Sequence, residues 1–558
     1  MYVRLHRQRH GGREYTSVHI CESFRDPARG GTPRNRVLVN LGPLEKIGTD
    51  AVRNLAAGFG KIAGESPEGS VVRLSEAKDF GHIYALDEIW KKLGFSEALT
   101  QAGISGDATF PVADLVKLMV INRACDPVSK LALLEWLEGV HLPEFEHRKP
   151  SYHHLLRAMD RLIAVKEKAE PLVAEHLLSD SGMPVDLVFY DITSTYFEGD
   201  RSIAEEDLRR YGYSRDHRFD RRQVTIGMVM TRDGIPLCHH VFPGNTLDKT
   251  TVAEVVRDLK SRFHLSQVIF VGDRGMLSDE NLETILDEEL GFIVAHPLRR
   301  SNVATEVVEG LWRKFDRTKE EEQFLDDRRN FLRFVLAYSP VIAQDVREER
   351  MRRFSEADGF IGEVLRKLTD PSPSRRGRKM TPQGAYDRIR DYLRDRHLLS
   401  FYEVAITDDQ VTVVPHEASR AWEDKIDGML LVETTDLTSP PKEVIRRYKE
   451  LAEIERGWRA LKSSLLLRPV RHWTERRIRA HVFLCVLALQ IERWMRKSLR
   501  SVSAQKAVDL LRRIKAVTVT SPGGSSRVTT VVTAEQKDLL KRLGVPPLSG
   551  VLPESCSV

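Results

Sequence analysis

The sequence predicts an α/β protein built on a mixed sheet flanked by helices, with a β-rich leader and a small helical domain ahead of it. Three observations point there. Strand-like apolar runs at 185–192, 223–231, 236–242 and 267–273 are interrupted before the last by a helical stretch at 247–263; hairpin strands followed by a helix crossing to another strand make a mixed sheet. Upstream, residues 85–179 place apolar side chains at three- and four-residue spacings, the helical period. The length of 558 residues exceeds what one hydrophobic core serves, so roughly two to four domains are expected.

The elements follow in order. Residues 2–22 alternate around Gly11-Gly12, a hairpin pattern, and a third strand is expected near 36–41. LDEIWKKLGF, VADLVKLMVINRA, SKLALLEWLEG and YHHLLRAMDRLI read as helices, with Pro111, Pro127 and Pro143 between them, where proline punctuates helices. After the strands named above come a shorter helix at 280–289 and a strand at 292–295. Residues 300–440 break the rhythm and read as an insertion. They hold a strand (FLRFVLAY, 331–338), charged helices (341–368 and 383–396), a linker (DPSPSRRGRKM, 370–380) and strands at 401–406, 411–415 and 428–434. Helices resume at Pro441 and run, with a break near Arg468-Pro469, to about Arg500; a last hairpin turns at SPGGSS (521–526). The implied division is a leader at 1–80, a helical domain at 81–180, a sheet core at 181–299 and 441–505 interrupted by 300–440, and a hairpin and tail at 506–558.

Composition excludes several classes. Hydrophobic residues make up 41% and charged residues 30%, the balance of a globular chain rather than a disordered one. The longest apolar stretch, 482–491, is about half a membrane span and contains Gln490. The first residues, MYVRLHRQRH, have no apolar signal core, so a cytoplasmic protein is expected. Cys21, Cys125, Cys238, Cys485 and Cys556 are widely spaced with no CxxC pair, which excludes a zinc ribbon or finger and argues against a disulfide scaffold. The net charge of +5 hides its distribution. Residues 1–36 hold eight Arg against three acids, and 442–513 hold nineteen Lys and Arg against seven, a balance of +12 that leaves the rest of the chain acidic. A basic segment of that size fits either a polyanion-binding face or a solvated helical surface.

Two apolar runs each deliver an aspartate: Asp191 in FYDITSTYFEGD and Asp273 in VIFVGDRGM. Carboxylates at the exits of buried strands sit where α/β sheets bind ligands. Oxygen donors without His or Cys favour Mg²⁺ or Mn²⁺, whereas a lone strand-end Asp more often makes a turn. In YKELAEIERGWRALK (448–462), Tyr448, Glu455 and Lys462 stand at heptad steps, so one continuous helix would carry all three on one face, with Arg459 one turn beyond Glu455. The same pattern fits a solvated Glu455–Arg459 ion pair.

With these residues in place the chain resembles the DDE transposases of bacterial insertion sequences, in the superfamily marked by a Tyr…Arg…Glu…Lys signature. Tyr448, Glu455 and Lys462 match it, while Leu451 stands where the Arg is expected, with Arg447, Arg456 and Arg459 as its candidate substitutes. Three further blocks are similar to the family: YGYSRDHRFDRRQ (211–223), DGIPLCHHVFPGNTLDKTT (233–251) and RPVRHWTERRIRAHVFL (468–484). The resemblance spans roughly 185–500 in colinear order and extends broadly to the leader and helical domain. It implies an RNase H-like core in which Asp191, Asp273 and Glu455 are the catalytic, metal-holding carboxylates. The step of 182 positions from Asp273 to Glu455 then holds the β-rich insertion of this superfamily. Glu450 and Glu453 are rival third carboxylates; signature spacing selects Glu455, and Glu453 lies about 160° around the helix from it.

The resemblance further implies two Mg²⁺ or Mn²⁺ ions, Asp191 bridging both, and two phosphodiester transfers: cleavage at the element's end, then attack of the freed 3′-OH on target DNA. Tyr448, Lys462 and Arg459 would hold phosphates. The partners would be double-stranded DNA, as terminal inverted repeats and target, and a second copy of the chain on that DNA. Residues 85–180 are the expected reader of the repeats. A haloacid-dehalogenase-like phosphatase would need an Asp two residues past Asp191, where Thr193 stands. An inactive relative kept for DNA binding is the non-enzymatic alternative. His239-His240 reads as strand sequence without a spaced metal partner, Trp458 as core or a surface for a displaced base, and Gly244-Asn245-Thr246 as a turn or a guide for a flipped base.

Overall fold

The computed structural model of the chain describes residues 2–10, 13–26, 32–43, 73–104, 110–181, 187–198, 207–247, 250–263, 269–272, 278–299, 301–369, 380–521 and 524–552. It divides into two compact units, 1–265 with 452–558, and 266–451.

In the first unit, β1 (Tyr2–His10), β2 (Arg13–Asp26) and β3 (Thr32–Pro43) form an antiparallel sheet in that order. The β1–β2 register runs from Tyr2 opposite Cys21 to His10 opposite Arg13; the Gly11-Gly12 turn expected between them lies outside the described residues. After β4 (Arg73–Asp79) come α1 (Gly81–Lys92), α2 (Phe95–Gln101), α3 (Val112–Cys125), α4 (Ala132–Trp136), α5 (Tyr152–Ala164) and α6 (Lys166–Ser181). Pro111 is the N-cap residue of α3 and Pro143 opens a short 3-10 turn, positions where a missing N–H costs nothing. Ser151 caps α5 by accepting from the His154 N–H.

Next come β5 (Leu187–Tyr196), β6 (Gln223–Thr231) and β7 (Pro236–Pro243), an antiparallel meander, and then α7 (Val252–Phe263). Nearly every residue of β5 and β6 is buried, as strands covered on both faces must be.

The second unit holds the strands and helices of 266–451. β8 (Ile269–Gly272), α8 (Asp279–Asp287) and β9 (Gly291–His296) are followed by α9 (Asn302–Leu311), β10 (Gln323–Arg329) and β11 (Leu332–Tyr338). α10 (Pro340–Thr369), α11 (Pro382–Asp395), β12 (Tyr402–Thr407), β13 (Gln410–Pro415), α12 (Glu417–Ile426), β14 (Met429–Thr434) and α13 (Pro441–Lys449) complete it. β8 and β9 are parallel, and β9–β14, β14–β11 and β11–β10 are antiparallel. Mixed pairing between flanking helices is therefore present, as the sequence predicts.

Residues 300–440 differ from the β-rich block expected there. The strands at 332–338 and 429–434 join β9 in one sheet, because their apolar runs are buried on both faces. The segment between them is mainly helical. α10, α11 and the β12–β13 hairpin enclose a core of their own, including Phe354, Ile361, Ile389, Leu393 and Tyr402. The linker at 370–379 lies outside the described residues.

Back in the first unit, α14 (Ala452–Ser463) and α15 (Glu475–Leu499) are followed by α16 (Ala504–Leu511), β15 (Lys515–Ser521), β16 (Gly524–Thr529), α17 (Ala534–Arg542) and β17 (Val551–Leu552). α15 contains the apolar stretch of 482–491 and buries every residue from Ala480 to Ile491. A helix apolar on all sides belongs in a core, and α15 packs against α3, α5, β7 and α14. Among the described residues no helix is long and apolar enough to cross a membrane. The terminal hairpin pairs β15 with β4 in a four-stranded sheet ordered β17-β16-β15-β4. Cys21, Cys125, Cys238 and Cys485 are buried free thiols.

Candidate active site

Asp191 stands in the middle of β5, not at its exit as the apolar run suggests. The residues after it, Ile192, Thr193 and Thr195, are β-branched and favour a strand, and the ladder with β6 continues from Asp191 opposite Met228 to Tyr196 opposite Gln223. The Asp191 carboxylate is half-buried. Oδ1 accepts from the Ile192 N–H at 2.7 Å and Oδ2 accepts from Trp458 Nε1 at 3.1 Å.

The second contact brings α14 to β5. Gly457 permits the approach, since a Cβ there would lie 2.8 Å from Met230 Cε on β6. Trp458 is buried and its indole holds one Asp191 oxygen in place, a role sequence reading misses because Trp at helical spacing looks like ordinary core. Outer-shell hydrogen bonds to a metal-holding carboxylate are typically worth about 10–100-fold in activity. On the expectation that Asp191 holds a metal ion, Trp458→Phe should slow strand cleavage by about that factor at unchanged DNA affinity, read by single-turnover cleavage and fluorescence anisotropy. Wild-type cleavage by this variant would remove the indole from the site.

The helix expected over 448–462 is two helices. α13 ends at Lys449 and α14 begins at Ala452. The Leu451 N–H bonds the Tyr448 carbonyl, three residues back, so the α ladder tightens into a turn. Tyr448, half-buried on α13, therefore does not share a helix face with Glu455 and Lys462. Those two and Arg459 remain together on α14.

Glu455 is exposed in the first turn of α14, where the helix dipole favours a carboxylate. Neither Glu455 nor Arg459 pairs with a described residue. The rival glutamates are occupied: Glu453 pairs with Arg456 at 2.6 Å and faces the buried Arg493 at 3.7 Å, and Glu450 pairs with Arg446. Of the substitutes for the missing signature Arg, Arg447 is bound to Asp436 and Glu443, Arg456 to Glu453, and Arg459 is exposed. Asp273 lies outside the described residues, directly after the end of β8.

Lys462 is held by a carboxylate that the sequence reading did not single out. Its Nζ donates to Asp216 Oδ1 at 2.8 Å, and Arg468 Nη1 reaches the same oxygen at 2.5 Å. Burial outweighs the pull of Asp216 and lowers the Lys462 ammonium below its usual range, with Arg468 and Arg215 adding to the effect. Asp216 belongs to the 211–223 block, which the Ser194 hydroxyl anchors to β5 by accepting from the Arg215 N–H at 3.2 Å. Gln223 fastens the other end, donating from Nε2 to the carbonyls of Tyr213 (2.8 Å) and Gly244 (2.9 Å). Two of the sequence blocks thus meet, and Gly244-Asn245-Thr246 has a structural role before any other.

His239-His240 lies on β7 as expected, but His240 has spaced donor neighbours that the sequence does not reveal. Cys238, His240 and Asp258 bring one donor atom each within 4.8 Å of one another, a three-donor group found among the described residues. Asp258 is already shared between Arg262 and His240 Nε2, the latter at 3.0 Å, so the protein's own groups balance the charges there. Burial opposes the His240 cation, yet hydrogen bonds to Asp258, Cys238 and Glu254 outweigh it and push the imidazole up to about 11. A pKa above the unfolded value contributes stability in full below about pH 6.5, lost as pH rises through about 11. The wild-type unfolding midpoint should thus fall more between pH 7 and 11 than that of His240→Gln, by calorimetry; parallel curves would contradict the pairing.

Residues 186–491, just over half of the chain, match the transposase DDE domain family, and residues 3–69 match the N-terminal domain of IS1634 family transposases. The chain belongs to the DDE transposases of bacterial insertion sequences. No curated protein matches it. Among solved structures, the Mos1 transposase paired-end complex with left transposon end is similar at 12% identity over 34% of this chain, with a TM-score of 0.15. The match spans 59% of that protein's length, and at this score it establishes neither fold nor chemistry.

Proposed function

We propose that this transposase cleaves DNA at the ends of an insertion sequence and joins the freed 3′-OH to target DNA, through an RNase H-like core. The observation that carries the reading is the Trp458–Asp191 hydrogen bond, which sets the helix bearing Glu455 against the strand bearing Asp191. Asp273 enters the set on the sequence pattern alone.

The donor set fits hard divalent cations. Asp191 and Glu455 both offer carboxylate oxygens, Glu455 is exposed and unpaired among the described residues, and oxygen-only donors select Mg²⁺ or Mn²⁺. Two such ions, when bound, supply an activated water and neutralise charge at the scissile phosphate.

The chain's own residues orient and hold. Trp458 and the Ile192 N–H fix the Asp191 carboxylate. Lys462, kept extended by Asp216, exchanges that carboxylate for a DNA phosphate, and Arg459 adds a phosphate contact; Tyr448 enters the set on the sequence pattern alone. In the first transfer, water oxygen bonds to phosphorus, the P–O3′ bond breaks and the 3′ oxygen takes up a proton. In the second, the new 3′-OH attacks a target phosphodiester, which releases its own 3′-OH. Cutting paired ends calls for two copies of the chain on DNA. The test is incubation of the full chain with duplexes ending in the repeats that flank its reading frame. Mg²⁺-dependent nicking and joined products, both abolished by chelator, are expected; binding without either product would favour a DNA-binding relative that has lost catalysis.

A further inference from the structure

One cavity of the first unit has a lining that the cleavage chemistry does not use. About 530 Å³ in volume, it is enclosed by the α3–α4 connection, the start of α5 and the segment from Leu466 to His472. Its charged lining is Arg123, Lys130, Arg468 and Arg471, with no Asp or Glu among the described residues.

Two of these cations are buried without a counter-charge. Lys130 is only 4% exposed, lines the cavity and pairs with no described residue. Arg123 is 5% exposed; its Nη1 donates to the carbonyls of Leu465 and Leu466 at 3.3 and 3.1 Å, its Nη2 reaches the Val128 carbonyl at 3.5 Å, and its Nε has no partner among the described residues. Burying a charge without an opposite one is costly, and an anion entering the open cavity would offset that cost for both groups. Burial and the Arg123 charge pull the Lys130 ammonium down to about 7, and the same burial with Lys130 nearby keeps His472 neutral, near 4. An arriving anion reverses the first effect, and the Lys130 amine takes up a proton.

The walls say which anion. Tyr152, Leu131 and Leu466 are exposed apolar side chains around the same cavity, surfaces for a sugar or base rather than for a bare ion. Leu466 holds φ at +43°, and Arg123 clamps its carbonyl; non-glycine residues in that region are strained and cluster at ligand clamps.

We propose that this cavity is a socket for one phosphate of bound DNA, with Lys130 and Arg471 as its cationic contacts and Tyr152 and Leu131 flanking the attached nucleoside. The proposal rests on the reading of the chain as DNA-acting, but its test needs no cleavage. It joins α3–α4 of the helical domain to the arginine-rich segment after α14 in one DNA contact.

The experiment uses the full chain in chelator, with Lys130→Met and Arg471→Gln beside the wild type. A linear duplex is titrated over a range of salt concentrations, and unfolding midpoints are taken in phosphate and in chloride of equal ionic strength. Losing one phosphate contact should flatten the slope of log K against log salt by about 0.9 and weaken binding by about 3–10-fold in either variant. Lys130→Met should unfold at a higher temperature than the wild type when no ligand is present, because it removes a buried unpaired charge; a merely structural lysine would shift the midpoint the other way. Phosphate should stabilise the wild type more than chloride does, and Lys130→Met equally in both. Unchanged affinity and slope in either variant overturns the proposal. Phosphate stabilisation that depends on Lys130 while DNA binding does not would assign the cavity to a free phosphate and overturn the DNA assignment. Lys130-dependent binding here, with no nicked or joined product in the separate Mg²⁺ incubation, would count against the proposed function and leave the socket standing.

Discussion

Glu455→Gln should abolish strand cleavage, while Glu453→Gln should leave its rate within a few-fold of wild type. The two side chains are two residues apart on α14, both in its first turn, and differ in exposure and in pairing. Glu455 is exposed, in the first helical turn, and unpaired among the described residues. Glu453 faces Arg456 and Arg493, so its charge already serves the protein. Neutralising a carboxylate that holds a catalytic cation should cost at least on the order of 10³-fold, because one preorganised electrostatic group alone is worth about 10²–10³. Glu453→Gln instead deprives a buried guanidinium of a counter-charge and should lower stability by about 1 kcal/mol, read by denaturant unfolding. Equal cleavage by Glu455→Gln and wild type would take Glu455 out of the site.

Gly244→Ala should destabilise the fold by about 3 kcal/mol or more, an overpacking effect at the upper end of its usual range. A Cβ on Gly244 would lie 2.0 Å from the Gln223 carbonyl oxygen and 2.6 Å from that of Arg210. Neither carbonyl can yield cheaply. Arg210 and Gln223 exchange backbone hydrogen bonds at 3.0 and 2.8 Å, and the Gly244 N–H is fastened to the Leu208 carbonyl at 3.1 Å. The crossing is reciprocal: a Cβ on Gly212 would meet the Gly244 oxygen at 2.0 Å. Displacing this crossing moves the 211–223 block and with it Asp216, so the variant should also lose the restraint on Lys462. Denaturant midpoints test the first effect; an unchanged midpoint would show that the crossing is looser than these distances require.

Strands and helices with a strong period were legible. The apolar run of 223–231 is β6, and the alternation around Gly11-Gly12 is the β1–β2 pair. What sequence could not reveal were features set by tertiary contact. Asp191 looks like a strand terminus because the apolar run stops there, yet β6 supplies partners that carry the strand five residues further. The heptad spacing of Tyr448, Glu455 and Lys462 assumes a continuous helix, and no Gly or Pro warns of the turn at 450–451. The strands at 332–338 and 429–434 read as part of an insertion because nothing in a linear pattern says that both pair into the sheet of β9. Within the site, Trp458 and Asp216 act through contacts with residues 267 and 246 positions away, and neither carries a mark of that role in its own neighbourhood. The basic segment at 442–513 is likewise less free than its +12 suggests: Lys462, Arg468, Arg447 and Arg456 each meet an acidic partner within the protein.

The most direct measurement of the central claim is single-turnover cleavage of end-labelled duplexes in Mg²⁺ by wild type, Asp191→Ala, Asp273→Ala and Glu455→Ala, with DNA affinity measured alongside. All three variants should bind DNA as the wild type does and yield no nicked product. Wild-type nicking by any one of them would contradict a three-carboxylate site and remove that residue from it.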